Sequence, residues 1–138
     1  MTKKSIIRTD NAPAAIGTYS QAVSVGSLVF LSGQIPLVPE TMEMISDDFR
    51  EQTQQAFQNL SAVATAAGGS LNDLVKINVY LTDLNNFQLV NEVMEMLFSE
   101  PFPARAAVGV AALPRGAAIE VEATMVVPTG APLGTTAP

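Results

Sequence analysis

The chain has 138 residues, of which 48% are hydrophobic and 14% are charged, and its net charge at neutral pH is −6. This length suits one domain with a modest core, and the acidic balance argues against a nucleic-acid partner, because phosphate binding needs clustered Lys and Arg. The absence of Cys and His excludes disulfides, thiolate nucleophiles and imidazole chemistry, and it removes the commonest metal ligands.

The first half of the chain predicts strands followed by a helix. We expect a strand at 5–8 and a hairpin made of strands 19–25 and 28–34, with Gly26 and Ser27 at its turn. Residues 35–45 contain two prolines and predict a loop. Apolar residues then recur at helical spacing from Phe49 to Ala67, with Ser46 as the expected N-cap and Gly68 as part of the stop.

The second half predicts a strand, a helix and a second hairpin. Residues 74–82 alternate, which places Val75, Ile77, Val79 and Leu81 on one face. Asn85 or Asn86 is expected to cap a helix whose apolar stripe is Phe87, Val90, Met94, Leu97 and Phe98, and Pro101 and Pro103 end it. Residues 105–113 predict a strand, 114–116 a turn, and 118–127 the hairpin partner of that strand.

This order of elements predicts an α+β protein with one mixed sheet and two helices packed on one face. Strand 105–113 is apolar on both sides, so a second subunit is expected to cover the side that the helices leave bare. Residues 1–128 are interpreted as one domain and residues 129–138 as a disordered tail. No segment has the length of a membrane span and the N-terminus lacks a signal-peptide core, so we expect a cytoplasmic protein with no membrane partner.

Arg105 is the most distinctive candidate for chemistry. A guanidinium binds a carboxylate through two parallel hydrogen bonds, and Arg105 lies between apolar residues and prolines, although an ordinary solvated arginine fits the spacing equally well. Glu120 and Glu122 share one strand face, where one of them could orient water and at least one could simply be solvated. Gly33, after Ser32, would let a backbone amide approach a ligand, although a simple turn is commoner. Tyr19 is by itself more typical of packing.

Four stretches together resemble the RidA (YjgF) family of imine deaminases. They are NAPAAIGTYSQAV, FLSGQIP, LVKINVYLTDLNNFQLVNEV and FPARAAVGVAALPRGAAIEVEA, in the family's order between residues 10 and 127. The resemblance implies a chorismate-mutase-like homotrimer with sites between subunits. It also implies hydrolysis of 2-imino or 2-enamino acids, released by pyridoxal-phosphate enzymes, to 2-oxo acids and ammonia, without a metal or organic cofactor.

The resemblance also implies roles for individual residues. Arg105 would hold the substrate carboxylate and Glu120 would position or deprotonate the attacking water. The other implied substrate-binding residues are Tyr19, Ser32, Gly33, Asn91 and Ala107, the last at a position where many relatives have Cys. Two other functions are left open, namely a trimer that binds 2-oxo acids without turnover and, less favoured by the acidic charge and missing His, a ribonuclease or translation inhibitor.

Overall fold

The computed structural model describes residues 3–128, so the tail predicted at 129–138 lies outside the described residues. Six strands and two α-helices make up the fold. Their bounds are β1 Lys4–Ile7, β2 Ala22–Val25, β3 Leu28–Gln34, α1 Phe49–Ala66, β4 Leu74–Leu81, α2 Phe87–Leu97, β5 Ala104–Gly109 and β6 Ile119–Val126.

The strands form one mixed sheet in the order β1-β2-β3-β6-β4-β5. Every neighbouring pair is antiparallel except β4 and β5, which are parallel and are joined through α2. Both helices pack on the same face, and α1 lies against β3 and β6. The predicted α+β class, with one mixed sheet and two helices on one face, is confirmed.

The predicted hairpin between the last two strands is wrong. β6 lies between β3 and β4, and hydrogen bonds join it to both neighbours, whereas β5 pairs only with β4. β6 fits this central place because its odd-numbered residues from Ile119 to Met125 are all buried against the helix layer. β5 also ends at Gly109 rather than continuing to Leu113, and its residues are mostly exposed.

The core fills the space between the helix layer and the sheet. Its largest fully buried side chains are Phe57, Leu60, Ile77, Leu81, Ile119 and Met125. The rings of Phe57 from α1 and Phe98 from the end of α2 meet edge to face, with centroids 5.8 Å apart. The two helices are therefore anchored to each other as well as to the sheet.

The predicted cap of α1 is wrong, whereas Asn86 is the N-cap of α2 as predicted but makes no capping hydrogen bond with its side chain. Asp48, not Ser46, is the N-cap of α1, because its carboxylate accepts a hydrogen bond from the Glu51 amide at 2.9 Å. The Ser46 hydroxyl instead accepts from the Asp48 amide. Asp83 caps a short 3-10 turn, Leu84–Asn86, that leads directly into α2, so neither Asn85 nor Asn86 caps that helix with its side chain.

Two apolar residues were predicted to be in the core and are not. The pairing of β4 with β6 shifts register between Leu74 and Lys76, so Leu74 is buried while Val75 is 46% exposed. Leu97, at the last turn of α2, is 41% exposed. A strict alternation along 74–82 missed the first case because a bulge resets which face each residue occupies.

The sheet face opposite the helices has two parts of different character. Beside β1 it is apolar, with exposed Ile6, Leu28, Phe30 and Val126. Around β4 and β6 it is polar, with Asn78, Tyr80, Glu120 and Glu122 on facing positions. Within residues 3–128, no helix combines the length and apolar character that a membrane span requires.

Candidate active site

Strand β3 carries a bulge at its end, and the bulge holds Ser32 and Gly33. From Leu31 to Gln34 the chain advances three residues, whereas its partners on β6 advance only two, from Ala123 to Val121. The Ser32 amide and hydroxyl donate to the carbonyls of Gln21 and Ser20, at 2.9 and 2.6 Å. The bulge is thereby fixed to the segment before β2, and bulges of this kind commonly redirect side chains at functional sites.

A cavity of about 420 Å³ opens beside this bulge. We call it the Glu120 cavity, and the residues that line it include Tyr19, Ser32, Gly33, Arg115, Glu120 and Glu122. Four of the residues singled out from the sequence, Tyr19, Ser32, Gly33 and Glu120, therefore lie together. Arg115 was not predicted as a site residue.

The Glu120 carboxyl group lies directly over Gly33. A Cβ atom added at Gly33 would be 2.9 Å from Cδ of Glu120, which is closer than real Cβ contacts allow, and 3.1 Å from Cγ. The glycine was expected to admit a ligand to the backbone. In this structure its missing side chain makes room for the carboxylate of Glu120.

Glu120 is half-buried, and its carboxylate accepts no hydrogen bond from any group within residues 3–128. Burial raises the pKa of its carboxyl group, and the negative charge of Glu122 raises it further. Both effects disfavour the charged form and make the carboxylate a stronger base than an exposed glutamate.

Glu122, by contrast, is firmly held. One of its oxygens, Oε2, accepts hydrogen bonds from the Tyr80 hydroxyl at 2.8 Å and from the Asn78 amide at 3.0 Å. The pKa of Tyr80 is raised, first because its hydroxyl donates to this carboxylate. The two carboxylates of β6 therefore have different surroundings, although they alternate identically in the sequence.

Buried amides on α1 support the cavity wall. Asn59 donates to the carbonyls of Ile35 and Leu37, at 3.1 and 2.9 Å, and both of these residues line the cavity. Gln52 accepts from the Ala118 amide at 2.9 Å, just before β6 begins. Sequence reasoning missed this support, although polar residues at helical spacing within an otherwise buried stripe are its signal.

Arg115 and Met42 meet at the rim of the cavity. The Arg115 guanidinium donates to the Met42 carbonyl at 3.0 Å. Both residues have φ of +61°, which is uncommon for residues other than glycine. The 114–116 turn is thus joined to the 35–45 loop, and together they form one side of the opening.

Arg105 lies elsewhere, on the helix face of the edge strand β5. Its guanidinium donates to Asn91 Oδ1 at 2.6 Å and to the sulfur of Met94, and its central carbon is 4.8 Å from the ring centroid of Phe87. It opens onto a cavity of about 490 Å³, the Arg105 cavity, lined also by Gln88, Glu95 and Phe102. Ala107 follows two residues later on the same face and is partly buried.

The two groups of predicted site residues do not meet within one chain. In the sheet register, Arg105 of β5 is aligned with Ile77 of β4, and Ile77 is aligned with Ala123 of β6. Glu120 is three residues from Ala123 along β6, and β6 is two strands away from β5. At strand spacings this is about 10 Å in each direction, or about 14 Å between backbones. Arg105 also points toward the helices, while Glu120 lies on the opposite face. The predicted pairing of residues 105–113 with 118–127 would have placed Arg105 directly beside the last strand, and it is wrong because β4 separates β5 from β6.

The site contains anion-binding and proton-accepting groups but no set of metal ligands. Within residues 3–128, no cluster of three His, Cys, Asp or Glu side chains is placed to hold a metal ion. The arrangement offers a fixed cation at Arg105 and, on the other face, a carboxylate of raised pKa beside hydroxyl groups. These groups are suited to binding a small anion and to activating water.

Comparison with known proteins gives the family. Residues 9–127 match the family described as Endoribonuclease L-PSP. A protein of Dermatophagoides farinae named 2-iminobutanoate/2-iminopropanoate deaminase is 47% identical over 127 residues, covering 92% of this chain and 99% of its own length. The crystal structure of RidA from an Antarctic Psychrobacter bacterium is 55% identical with a TM-score of 0.86, covering 89% of this chain and 99% of that one.

A second solved structure carries a ligand. TdcF of E. coli, crystallised with bound serine, is 42% identical with a TM-score of 0.82, and the match covers 88% of this chain and 98% of that one. The family match over residues 9–127 includes every strand from β2 to β6 and both helices, and the solved structures share the fold. The chain therefore belongs to the Endoribonuclease L-PSP family, the family of RidA and YjgF.

Proposed function

We propose that this protein is a deaminase that hydrolyses 2-iminobutanoate and 2-iminopropanoate, together with their enamine forms, to 2-oxo acids and ammonia. Such imines are released by pyridoxal-phosphate enzymes that eliminate water from hydroxy amino acids. The relative named for this activity supports the proposal, because it matches the chain over 127 residues at 47% identity.

The observation that carries the proposal is that Arg105 is held in place by neutral groups only. Its guanidinium is exposed and is held by an amide oxygen, a sulfur and an aromatic ring, all of them neutral. No salt bridge to Arg105 is present in the part of the chain that the structure describes. A cation fixed in this way, with donors to spare, is suited to a small carboxylate. Serine, bound in the structure of TdcF, has a carboxylate next to the carbon that bears nitrogen, as a 2-imino acid does.

Hydrolysis of the imine requires a base that accepts a proton from water and a group that orients the substrate. The iminium carbon C2 is already electrophilic, so water can attack it without a covalent intermediate on the protein. Glu120 accepts a proton as the water oxygen bonds to C2 and returns it to the nitrogen of the resulting amino alcohol. The C–N bond then breaks as the hydroxyl loses its proton, which gives the 2-oxo acid and ammonia, and the released proton goes to solvent or to the ammonia. Arg105 holds the carboxylate so that C2 faces the water. Tyr19, Ser32 and the backbone at Gly33 and Ala107 complete the proposed site, with Asn91 orienting Arg105.

The proposed site is shared between subunits of a homotrimer. Arg105 and Glu120 are about 14 Å apart at the backbone and face opposite sides of the sheet, so a single chain cannot place both on one small substrate. A neighbouring copy packed on the sheet face would bring the Arg105 cavity of one chain to the Glu120 cavity of the next. The exposed apolar residues beside β1 supply surface for such packing.

The test is the rate of imine hydrolysis. An amino-acid oxidase generates the imine in place from 2-aminobutanoate or alanine, and the imine is captured by semicarbazide in competition with the protein. We expect the protein to divert imine to 2-oxo acid, with Arg105→Ala inactive. Binding of 2-oxo acids without any turnover would favour the ligand-sensing alternative, and salt-dependent RNA binding with cleavage would favour the ribonuclease.

A further inference from the structure

Glu120 and Glu122 compete for the same donors on β4. In the sheet register, Tyr80 lies opposite Glu120 and Asn78 lies opposite Glu122. Directly facing side chains in antiparallel strands are close neighbours, so the Tyr80 hydroxyl could have donated to Glu120. It donates to Glu122 instead, at 2.8 Å, and the Asn78 amide donates to the same oxygen at 3.0 Å.

This choice leaves the Glu120 carboxylate free. It lies over the bare backbone of Gly33 and on the wall of its cavity, and no donor within residues 3–128 is bonded to it. A carboxylate that already accepted a phenol hydrogen bond would be a weaker base and a poorer partner for water. Repulsion between the two charges also disfavours any rotation of Glu120 toward Glu122.

We propose that Glu122 is a positioning residue for the hydrolytic reaction: by accepting the hydrogen bonds of Tyr80 and Asn78, it keeps Glu120 turned onto Gly33 and unbonded, ready to receive the proton of the attacking water. The inference deepens the proposed function and rests on it. The proposed role of Glu122 requires no contact with the substrate or the water, although its side chain also lines the cavity. Glu122 acts through the donors that it occupies and through its charge.

Few other groups can alter the charge of Glu120. The titratable or charged side chains around the Glu120 cavity or facing it from β4 are Tyr19, Tyr80, Arg115 and Glu122. The guanidinium of Arg115 is bonded to the Met42 carbonyl. The raised pKa of Glu120 agrees with the geometry, since its causes are burial and the charge of Glu122.

The first test needs no substrate. Carboxyl carbon NMR of ¹³C-labelled protein gives the pKa of Glu120 in the wild type and in two variants. Glu122→Gln removes the charge but keeps an oxygen for Tyr80, so it should lower the pKa of Glu120. Glu122→Ala also frees the Tyr80 hydroxyl and the Asn78 amide to donate to Glu120, so it should lower the pKa of Glu120 further. Adding Tyr80→Phe to Glu122→Ala removes the hydroxyl and should reverse this further decrease.

Tyr80 gives an independent reading of the same network. The chain has two tyrosines and no tryptophan, so in a Tyr19→Phe background the ultraviolet signal of phenolate ionisation reports Tyr80 alone. The pKa of Tyr80 is raised chiefly by its hydrogen bond to Glu122. Glu122→Ala removes the acceptor and should lower this pKa toward the ordinary value near 10, with circular dichroism confirming that the fold persists at each pH.

The kinetic test separates positioning from folding. Glu122→Gln should lower kcat by roughly tenfold, leave KM nearly unchanged and move the acid limb of the rate profile to lower pH. The matched control is Glu51→Gln, which removes one exposed glutamate charge from α1 in the helix layer, and it should change none of these quantities. An active Glu122→Gln protein in which the pKa of Glu120 is unchanged or higher would overturn the inference. Absence of turnover by the wild-type protein would instead refute the proposed function.

Discussion

Mixing an inactive Arg105→Ala protein with an inactive Glu120→Ala protein should restore imine hydrolysis once their subunits exchange. The reason is geometric. Arg105 lies on the helix face of β5 and Glu120 on the opposite face of β6, with β4 between them and about 14 Å separating their backbones. If both act on one substrate, they come from different chains, and a mixed oligomer contains clefts with neither lesion.

The size of the recovery follows from closed symmetry. An intact cleft needs its arginine from a Glu120→Ala chain and its glutamate from the neighbouring Arg105→Ala chain. With equal amounts of the two proteins and random exchange, each condition is met about half the time, so about one quarter of all clefts are intact. This fraction is the same for any closed ring, so it does not depend on the trimer being the correct assembly.

The assay is ammonia release per chain before and after exchange. Native mass spectrometry of differently tagged chains shows whether hybrids have formed. The matched control exchanges Arg105→Ala with a second, tagged Arg105→Ala protein, which should stay inactive. Recovery near one quarter of the wild-type rate is expected, whereas no recovery with hybrids present would refute the shared-site reasoning.

Four further outcomes are expected. Arg105→Ala should lose about 2–4 kcal/mol of transition-state stabilisation, or roughly 30- to 900-fold in kcat/KM. Arg105→Lys should keep a weak residual activity, because lysine retains the charge but cannot donate two parallel hydrogen bonds. A wild-type rate in a folded Arg105→Ala protein would exclude this site. Gly33→Ala should lower kcat by displacing the Glu120 carboxyl group, and its cost in the free energy of unfolding should fall in the Glu120→Ala background, which a double-mutant cycle of denaturant unfolding measures. Because Glu120 must be ionised to accept a proton and its pKa is raised, kcat/KM should fall on acidification at a pH above the ordinary glutamate value near 4.3, and a limb below that value would contradict the assignment. Light scattering at micromolar concentration should give about three times the chain mass of 14.5 kDa, and a monomer that is active would contradict a site between subunits.

Local pattern predicted the elements of the fold well but not all of their partners. The alternation from Ile119 to Met125 identifies a strand buried on one face, and that strand exists. The turn Pro114–Gly116 suggested a hairpin because adjacent strands joined by short turns commonly pair. The connection between β5 and β6 instead crosses β4, so that β6 pairs with β3 and β4. Which strands become neighbours depends on long-range burial, and no short window of sequence contains that information.

The candidate site was predictable in its residues and not in its grouping. Tyr19, Ser32, Gly33 and Glu120 could be named from sequence, and they line one cavity. Their separation from Arg105 was expected, since the resemblance implies sites between subunits, but its geometry depends on the parallel pairing of β5 with β4, which the local pattern does not contain. The contrast between Glu120 and Glu122 was also hidden, since two glutamates at alternate positions look alike until the donors on the neighbouring strand are known.

The central place of β6 has a consequence for how the protein is made. A ribosome delivers β6 after every other strand, yet β6 is the only described strand that connects β3 to β4. Without β6, the strand order leaves two separate groups, β1-β2-β3 and β4-β5, and each has an unpaired edge where β6 would lie. The sheet therefore cannot be completed before β6 is available, and a chain that lacks β6 would expose both of these edges rather than form a smaller working protein.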